Sequence, residues 1–543
     1  MADPAGETPS HGRRIAGATA IMMAAILASR LLGLVRNAVI SHQLGQKLEA
    51  DVYYGAFQIP DLMFYLLAGG ALSSAFIPVF TEKLTLGKEK EAWHIFSTVA
   101  CVLFVILAAV IVIGEVFAGP LVHLVNPGFS AEKAAKTIPL TRIVFPAQLC
   151  FFMGGLLMGT QYARKQFKIP ALGPVIYNLG IILGGLLLAP WVGMAGLCWG
   201  VLAGAIVGNF ALQLWAVKRD GMQFHISFDW KHPDVMKVWK LMLPVVLGVA
   251  LPQLSIWINR AFASTLGNGP MAALSNANQM MQVPLGIFAQ AMAVAIFPTL
   301  STLAAEKKFT ELRSTSSMGI RSLLFLTIPA SVFMFILAVP IVQLLLQHGK
   351  FHADDTERAA AALAFYCIGI FAWSAQSILS RTFYALQDTI RPVVIGVGVA
   401  LIFIPMNWLF MRELGMGVRG LALATSVAAA LNVFVMLGVL RKRLDGFEIG
   451  RLCISVGKTA IAAGAAGAVC WGAAGIAEAA LGSMAHHVKL HAAVVLAAGF
   501  GAGLVVFVGT AHLLKMEELR QVVSLLRRRT NGQETSVAGE ISP

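Results

Sequence analysis

Three arginines stand where arginine is costly. Arg30 and Arg36 lie within the first long apolar stretch of the chain, and Arg260 lies within the seventh. An isolated guanidinium at mid-bilayer costs about 2.5–3.5 kcal/mol even on lenient insertion scales. Arg30 sits about 15 residues into its stretch, roughly 22 Å from the start at 1.5 Å per residue. Such a cost implies an inward-facing, hydrated or paired position. Guanidinium groups grip phosphate and carboxylate through bidentate hydrogen bonds, so three of them on a cavity wall point to an anionic substrate. Arg30 and Arg36 are about 120° apart around a helix, which lets them border one broad cavity but not clasp one small ion. Asp61 is expected at a depth close to Arg30, and an Arg30–Asp61 ion pair is the alternative to substrate contact. For Arg36 and Arg260 the alternative is snorkelling to the outer interface.

Arg36 and Arg260 are mates in a duplication. Each stands 24 positions before a proline, Pro60 and Pro284. Tyr162-Ala163 leads to Pro170 as Tyr384-Ala385 leads to Pro392. Gly196-Leu197 recurs as Gly420-Leu421, and Asn209 is echoed by Asn432. Four coincidences at nearly one offset mark a repeated unit. In a membrane chain, repeated bundles enclose a path that opens alternately to either side.

The elements that carry these residues are membrane helices. The 543 residues are 57% hydrophobic and 13% charged, far from the quarter charged of soluble domains. Apolar stretches of about 20 residues recur along the chain, and in lipid they must be helices. We expect an all-α polytopic protein with about 14 transmembrane helices. The spans fall at 15–40, 52–80, 93–117, 138–162, 170–190, 192–217, 238–265, 270–300, 318–346, 357–385, 391–411, 416–440, 452–477 and 488–514. Six crossings per copy give two parallel repeats, related by an axis along the membrane normal. The expected divisions are an N-terminal lobe at 1–217, a polar linker and hinge at 218–237 and a C-terminal lobe at 238–440. Two additional helices at 441–514 and a basic tail at 515–543 complete the chain.

The net charge of +14 reflects topology. With both termini in the cytoplasm, about 25 Lys and Arg fall in cytoplasmic segments and about 8 outside. Clusters such as Lys218-Arg219, Arg441-Lys442-Arg443 and Arg527-Arg528-Arg529 then meet anionic lipid, not nucleic acid. The first span is too long for a signal-peptide core and is read as retained. Pro60, Gly69-Gly70 and Pro78 in span 2, and Pro284 and Pro298 in span 8, predict bent helices. The Gly- and Ala-rich span 13 predicts close helix packing, with a lipid-facing groove as the alternative.

Other chemistry has little to stand on. The six cysteines are isolated, so neither a disulfide framework nor a zinc site is indicated. His486, His487 and His491 read as a polar loop, with weak metal binding the alternative. Asp354-Asp355 reads as a turn. No phosphate loop, no HExxH, no carboxylate relay and no cofactor motif is found, and a transporter is expected instead of an enzyme.

The chain resembles the MviN/MurJ family of lipid II flippases. The likeness rests on Ser29-Arg30-Leu31-Leu32-Gly33-Leu34-Val35-Arg36, Ala50-Asp51, Ala56-Phe57-Gln58-Ile59-Pro60 and Ala75-Phe76-Ile77-Pro78. It continues through Leu140-Thr141-Arg142, Phe145-Pro146, Phe167-Lys168-Ile169-Pro170-Ala171, Ile296-Phe297-Pro298 and Gln347-His348-Gly349-Lys350-Phe351. The resemblance implies the two-lobed fold of the multidrug/oligosaccharidyl-lipid/polysaccharide exporter superfamily, in the bacterial inner membrane. It implies an arginine-lined cavity for the diphosphate-sugar head group of lipid II, an undecaprenyl-diphosphate-linked disaccharide peptide. It also implies a groove at spans 13 and 14 for the polyprenyl tail. Arg30 and Arg36 match family arginines that contact the head group. Departures are several. Phe64 and Tyr65 stand where the family has basic residues, Asn37 and Asn278 where it has acids, Gln279 where it has an arginine, and Gly69 where it has a glutamate. Losing acids and bases together implies a cavity rewired in pairs, with Arg260 supplying replacement charge.

The expected binding set is Arg30, Arg36, Arg260, Asp61, Asn37 and Gln279. The expected function is movement of lipid II between leaflets by alternating access, in peptidoglycan synthesis. Membrane lipids, and cell-wall synthesis enzymes, are the other expected partners. Export of another polyprenyl-diphosphate saccharide, or a non-transporting envelope scaffold, are the alternatives.

Overall fold

The computed structural model describes residues 11–64, 71–481 and 488–520. Tyr65, Gly69, Gly70, His486, His487 and Arg527-Arg528-Arg529 lie outside the described residues. Within them every regular element is helical. The first stretch comprises α1 (His11–Leu44), α2 (Leu48–Ala56), α3 (Gln58–Met63), α4 (Ala71–Thr85), α5 (Glu89–Val116), α6 (Ala118–Val125) and α7 (Ala131–Ala163). Then come α8 (Lys168–Leu183), α9 (Ala189–Val192), α10 (Met194–Gly204) and α11 (Leu212–Arg219), with π-helical turns at Gly184–Leu188 and Ala205–Ala211. The next group is α12 (Pro233–Ser264), α13 (Pro270–Pro284), α14 (Gln290–Ala305), α15 (Phe309–Ile336) and α16 (Ala338–Leu346). Last are α17 (Ala353–Cys367), α18 (Ile370–Ala385), α19 (Ile390–Trp408), α20 (Gly417–Arg443), α21 (Ile449–Ala480) and α22 (Val488–Leu513). Among the described residues ten helical segments are long and apolar enough to cross a membrane, and the bent pair α17–α18 makes an eleventh.

Proline coincides with a change in the helix at some of the expected positions and not at others: α4 and α14 run as unbroken α-helix through Pro78 and Pro298. Within span 2, Phe57 separates α2 from α3, which holds Pro60, and Pro78 lies in α4. In span 8, α13 ends on Pro284 and passes into the π-helical turn Leu285–Ala289 before α14. A proline ring removes one backbone donor and crowds the preceding turn, so the ladder must shift there.

The chain divides into two compact units. The first holds residues 1–257 together with Gly267–Gly269 and His348–Phe351. Its core is aromatic: Phe76, Phe80, Trp93 and Phe96 are buried together, with Trp93 and Phe80 edge to face at 5.3 Å. Glycine permits the tightest approach. A Cβ on Gly154 in α7 would lie 1.8 Å from the Asn209 carbonyl oxygen, so only glycine fits beneath the π-helical turn that follows α10. The late-chain segment His348–Phe351 is pinned by Lys350 N donating to His42 O at 3.0 Å, with the His42 and His348 rings stacked at 5.2 Å.

The second unit holds Ile258–Leu266, Pro270–Gln347 and His352–Pro543. Here α21 and α22 pack on α15 around Phe325, Phe333, Ala466, Cys470 and Phe507. The small residues of α21 serve this close contact, since a Cβ on Gly467 would meet Val332 Cγ1 at 2.6 Å. Past α22, Ser455 Oγ donates to Glu518 at 2.7 Å, and Arg321 of α15 reaches the same carboxylate at 3.5 Å. Asp354 and Asp355, read as a turn, open α17, where Asp355 accepts from His352 N at 3.1 Å.

Candidate functional site around Arg36

Arg36 is half-buried on α1, eight residues before its end. Its Nε and Nη2 donate to Asn37 Oδ1 at 3.3 and 3.2 Å, and its Nη1 donates to Asn178 Oδ1 at 3.1 Å. Asn37 and Asn178 are both buried. The Asn178 amide nitrogen donates in turn to Ser29 Oγ at 3.2 Å, Ser29 O at 3.3 Å and Pro174 O at 3.0 Å. Ser29 and Arg36 are two helical turns apart on one face of α1. A long side chain on a helix leans back toward the N-terminus, which brings the guanidinium to the amide that also reaches Ser29. One asparagine on α8 therefore fixes both the helix and its arginine. The two amide oxygens orient the guanidinium.

Two tyrosines lie near this group, and phenylalanines continue from one of them. Arg36 stands close enough to Tyr53 and Tyr177 to act on both electrostatically, and Asp61 acts on Tyr177 too. Phe64 packs edge to face on Phe151 at 5.5 Å, and Phe151 on Tyr177 at 5.1 Å. Phe64, Phe151 and Tyr177 thus form an aromatic row.

The other expected residues are distributed as follows. Arg30 is exposed, and no Arg30–Asp61 ion pair is present among the described residues. The 120° turn between Arg30 and Arg36 carries Arg30 off the face that Asn178 holds. Asp61 is half-buried within the short α3. Arg260 and Gln279 belong to the second unit and are half-buried, on α12 and α13. Beside Arg260, the buried Asn259 donates from Nδ2 to Tyr366 Oη at 3.0 Å and Thr425 Oγ1 at 3.1 Å, tying α12 to α17 and α20. Each unit thus holds an arginine next in sequence to a buried asparagine, Arg36 followed by Asn37 and Arg260 preceded by Asn259.

Sequence reading missed Asn178, Tyr53, Tyr177 and Phe151. The signal for Asn178 was present: a buried asparagine in an apolar span needs partners. It also missed Lys133, whose ammonium lies 2.9 Å from Asp51.

Metal-ligating groups meet at one place among the described residues, where Glu91, His232 and Asp234 bring ligand atoms within 4.8 Å. Lys83 Nζ lies 2.7 Å from Glu91 Oε1 and 2.9 Å from Asp234 Oδ2, so both acids already face a cation. Hydrogen bonds to Glu91 and Asp234 hold the Lys83 ammonium well above its ordinary pKa.

The chain is similar to several known proteins. The family described as lipid II flippase MurJ matches residues 40–490. The lipid II flippase MurJ of Burkholderia cenocepacia is 31% identical over 425 residues, covering 77% of this chain and 82% of its own. A probable lipid II flippase MurJ of Vibrio cholerae is 31% identical over 439 residues, covering 78% and 82%. Among solved structures, a lipid II flippase MurJ in an inward closed conformation is similar with a TM-score of 0.75 at 23% identity, covering 91% of this chain and 99% of that one. An inward-facing multidrug resistance MATE transporter of the MOP superfamily is similar with a TM-score of 0.67 at 15% identity, covering 77% and 94%.

Proposed function

The chain belongs to the lipid II flippase MurJ family, and from that premise we propose that it moves lipid II across the bacterial inner membrane. The head group carries a diphosphate, and the guanidinium of Arg36 is its anchor. What supports this reading most is the way Arg36 is held. A cation inside an apolar span is expensive, and buried amides of Asn37 and Asn178 hold it in a fixed orientation. A guanidinium held in a fixed orientation favours a phosphate oxyanion that can accept two of its N–H groups at once. Phe64, Phe151 and Tyr177 offer faces on which sugar rings pack. In this proposal Arg260 of the second repeat serves the same head group, Asp61 and Gln279 shape its polar contacts, and Arg30 meets it at the wider mouth.

The proposed architecture is about 14 spans in two parallel six-helix repeats, 1–217 and 238–440, that open alternately to either side. Both termini lie in the cytoplasm in this reading. The polyprenyl tail is assigned to the helices at 441–514. The apolar groove lined by Phe333, Leu337 and Ile341 with Leu496, Ala497 and Phe500 of α22 supports that assignment.

The test is complementation of a bacterial strain depleted of its own lipid II flippase. The wild-type chain restores growth and lowers inner-leaflet lipid II, and Arg36→Ala does neither. Growth without movement of lipid II would point to another polyprenyl-diphosphate saccharide as cargo, and the assignment would fall.

A further inference from the structure

The segment joining the two repeats, from Met222 to Asp229, has no helix, and its side chains alternate. Its polar members turn to the first turns of α5. His225 N donates to Ser97 Oγ at 3.3 Å, Ser227 Oγ and Thr98 Oγ1 are 2.7 Å apart, and the His94 and His225 ring nitrogens are 2.8 Å apart. Asp229 Oδ2 lies 3.7 Å from His94 Nε2. The apolar members turn away. Phe224, Ile226, Phe228 and Trp230 are 50%, 78%, 55% and 56% exposed. Four large apolar side chains in one outward row, on a strap fastened along its other edge, form a surface that water does not favour.

The depth of this row identifies what covers it. On α5 the lipid-facing residues run from Phe104 to Val116 and on to Phe117. A hydrocarbon core of about 30 Å takes about 20 residues. Counted back from Phe117, the core ends at about residue 97, which is where Ser97 and Thr98 hold the strap. The row is therefore continuous with the lipid-facing wall of α5 at the headgroup boundary. Charge agrees. Arg219 lies over the exposed Trp215 ring at 5.7 Å, and Lys231 over the Trp230 ring at 5.5 Å. Tryptophan paired with a nearby cation suits a membrane interface, with the ring at headgroup level and the charge toward phosphate.

We propose that residues 224–230 form an interfacial strap, whose edge of Phe224, Ile226, Phe228 and Trp230 lies in the headgroup–acyl boundary of an anionic phospholipid bilayer. Lys218, Arg219 and Lys231 attract the lipid phosphates. The polar edge fastens the linker to α5, so the segment between the repeats is held to both protein and lipid.

The experiment uses the full chain in phosphatidylglycerol-containing vesicles, with native cysteines replaced and a nitroxide placed through Phe224→Cys, Ile226→Cys, Phe228→Cys or Gln223→Cys. Labels at 224, 226 and 228 collide with oxygen in preference to a water-soluble nickel chelate, and the label at 223 shows the reverse. A second measurement keeps the native cysteines: brominated phospholipid quenches a smaller amount of fluorescence in Trp230→Phe than in the wild-type chain, the other exposed tryptophans being common to both. Nickel-chelate access at 224, 226 and 228 equal to that at 223, with Trp230 quenched by iodide and not by brominated lipid, would overturn the proposal and leave the row to a protein partner.

Discussion

Lys133 Nζ lies 2.9 Å from Asp51 Oδ2, and the two side chains are 4% and 0% exposed. The same lysine donates to Gly267 O at 2.8 Å, and the same carboxylate oxygen accepts from Gly269 N at 2.7 Å. The pair thus joins the start of α7 to α2 and holds the loop Gly267–Gly269 against both. Removing one member of a buried ion pair strands the other charge, at a cost of about 3–5 kcal/mol. Lys133→Met should lower the thermal midpoint of the purified chain sharply. Lys133→Met with Asp51→Asn should recover most of the loss, because no buried charge is then left alone. Equal midpoints for the single and double variants would show that the charge pair is not what fixes this corner.

Gly154 and Gly155 give a paired test of packing. A Cβ on Gly154 would strike the Asn209 carbonyl, whereas a Cβ on Gly155 meets nothing within 4 Å. Gly154→Ala forces the backbones apart and should destabilise by about 1–3 kcal/mol. Gly155→Ala should be neutral or stabilising, since alanine lowers the entropy of the unfolded chain. Thermal unfolding of the two variants beside the wild type decides it.

Much of this was legible in the sequence, and the reasons differ by residue. Arg36 announced itself because charge in an apolar span is costly, and Pro284 marked where α13 passes into a π-helical turn because proline cannot complete the ladder. Asn178 was hidden because an amide costs less in a span than a charge, and its partner Ser29 is 149 residues away. Lys133 was hidden because it precedes the apolar run of α7 and reads as loop, while its partner Asp51 is 82 residues away. The linker was read by its polar sum. Its alternation over Phe224, Ile226, Phe228 and Trp230, a period of two, carries the structural content.

Asn178 separates a binding role of Arg36 from a structural one. Asn178→Asp offers Arg36 a charged partner, which would strengthen a purely structural contact. If Arg36 instead awaits a diphosphate, that carboxylate repels the substrate and occupies the guanidinium. We expect Asn178→Asp to weaken lipid II binding more than Asn178→Ala does. The alanine variant should lose about tenfold, as for one hydrogen bond to a charged group at about 1.5 kcal/mol. Titration of lipid II into the purified variants, with thermal midpoints as the control for folding, gives the order.

The groove beside α22 offers a test of the tail assignment that leaves the head-group site untouched. Ala497 lies among Phe333, Leu337, Leu496 and Phe500, and the lining is apolar. Each methylene buried there is worth about 0.8 kcal/mol, so a long polyprenyl chain gains far more from the groove than a short one. Ala497→Trp places an indole in this open space without burying a polar group beyond its ring nitrogen, and the thermal midpoint should change little. Transport of a lipid II analogue with a full-length tail should fall markedly, and transport of an analogue with a truncated tail should be spared. An equal loss for both analogues would place the tail elsewhere, because the side chain would then be acting on the cycle and not on tail binding.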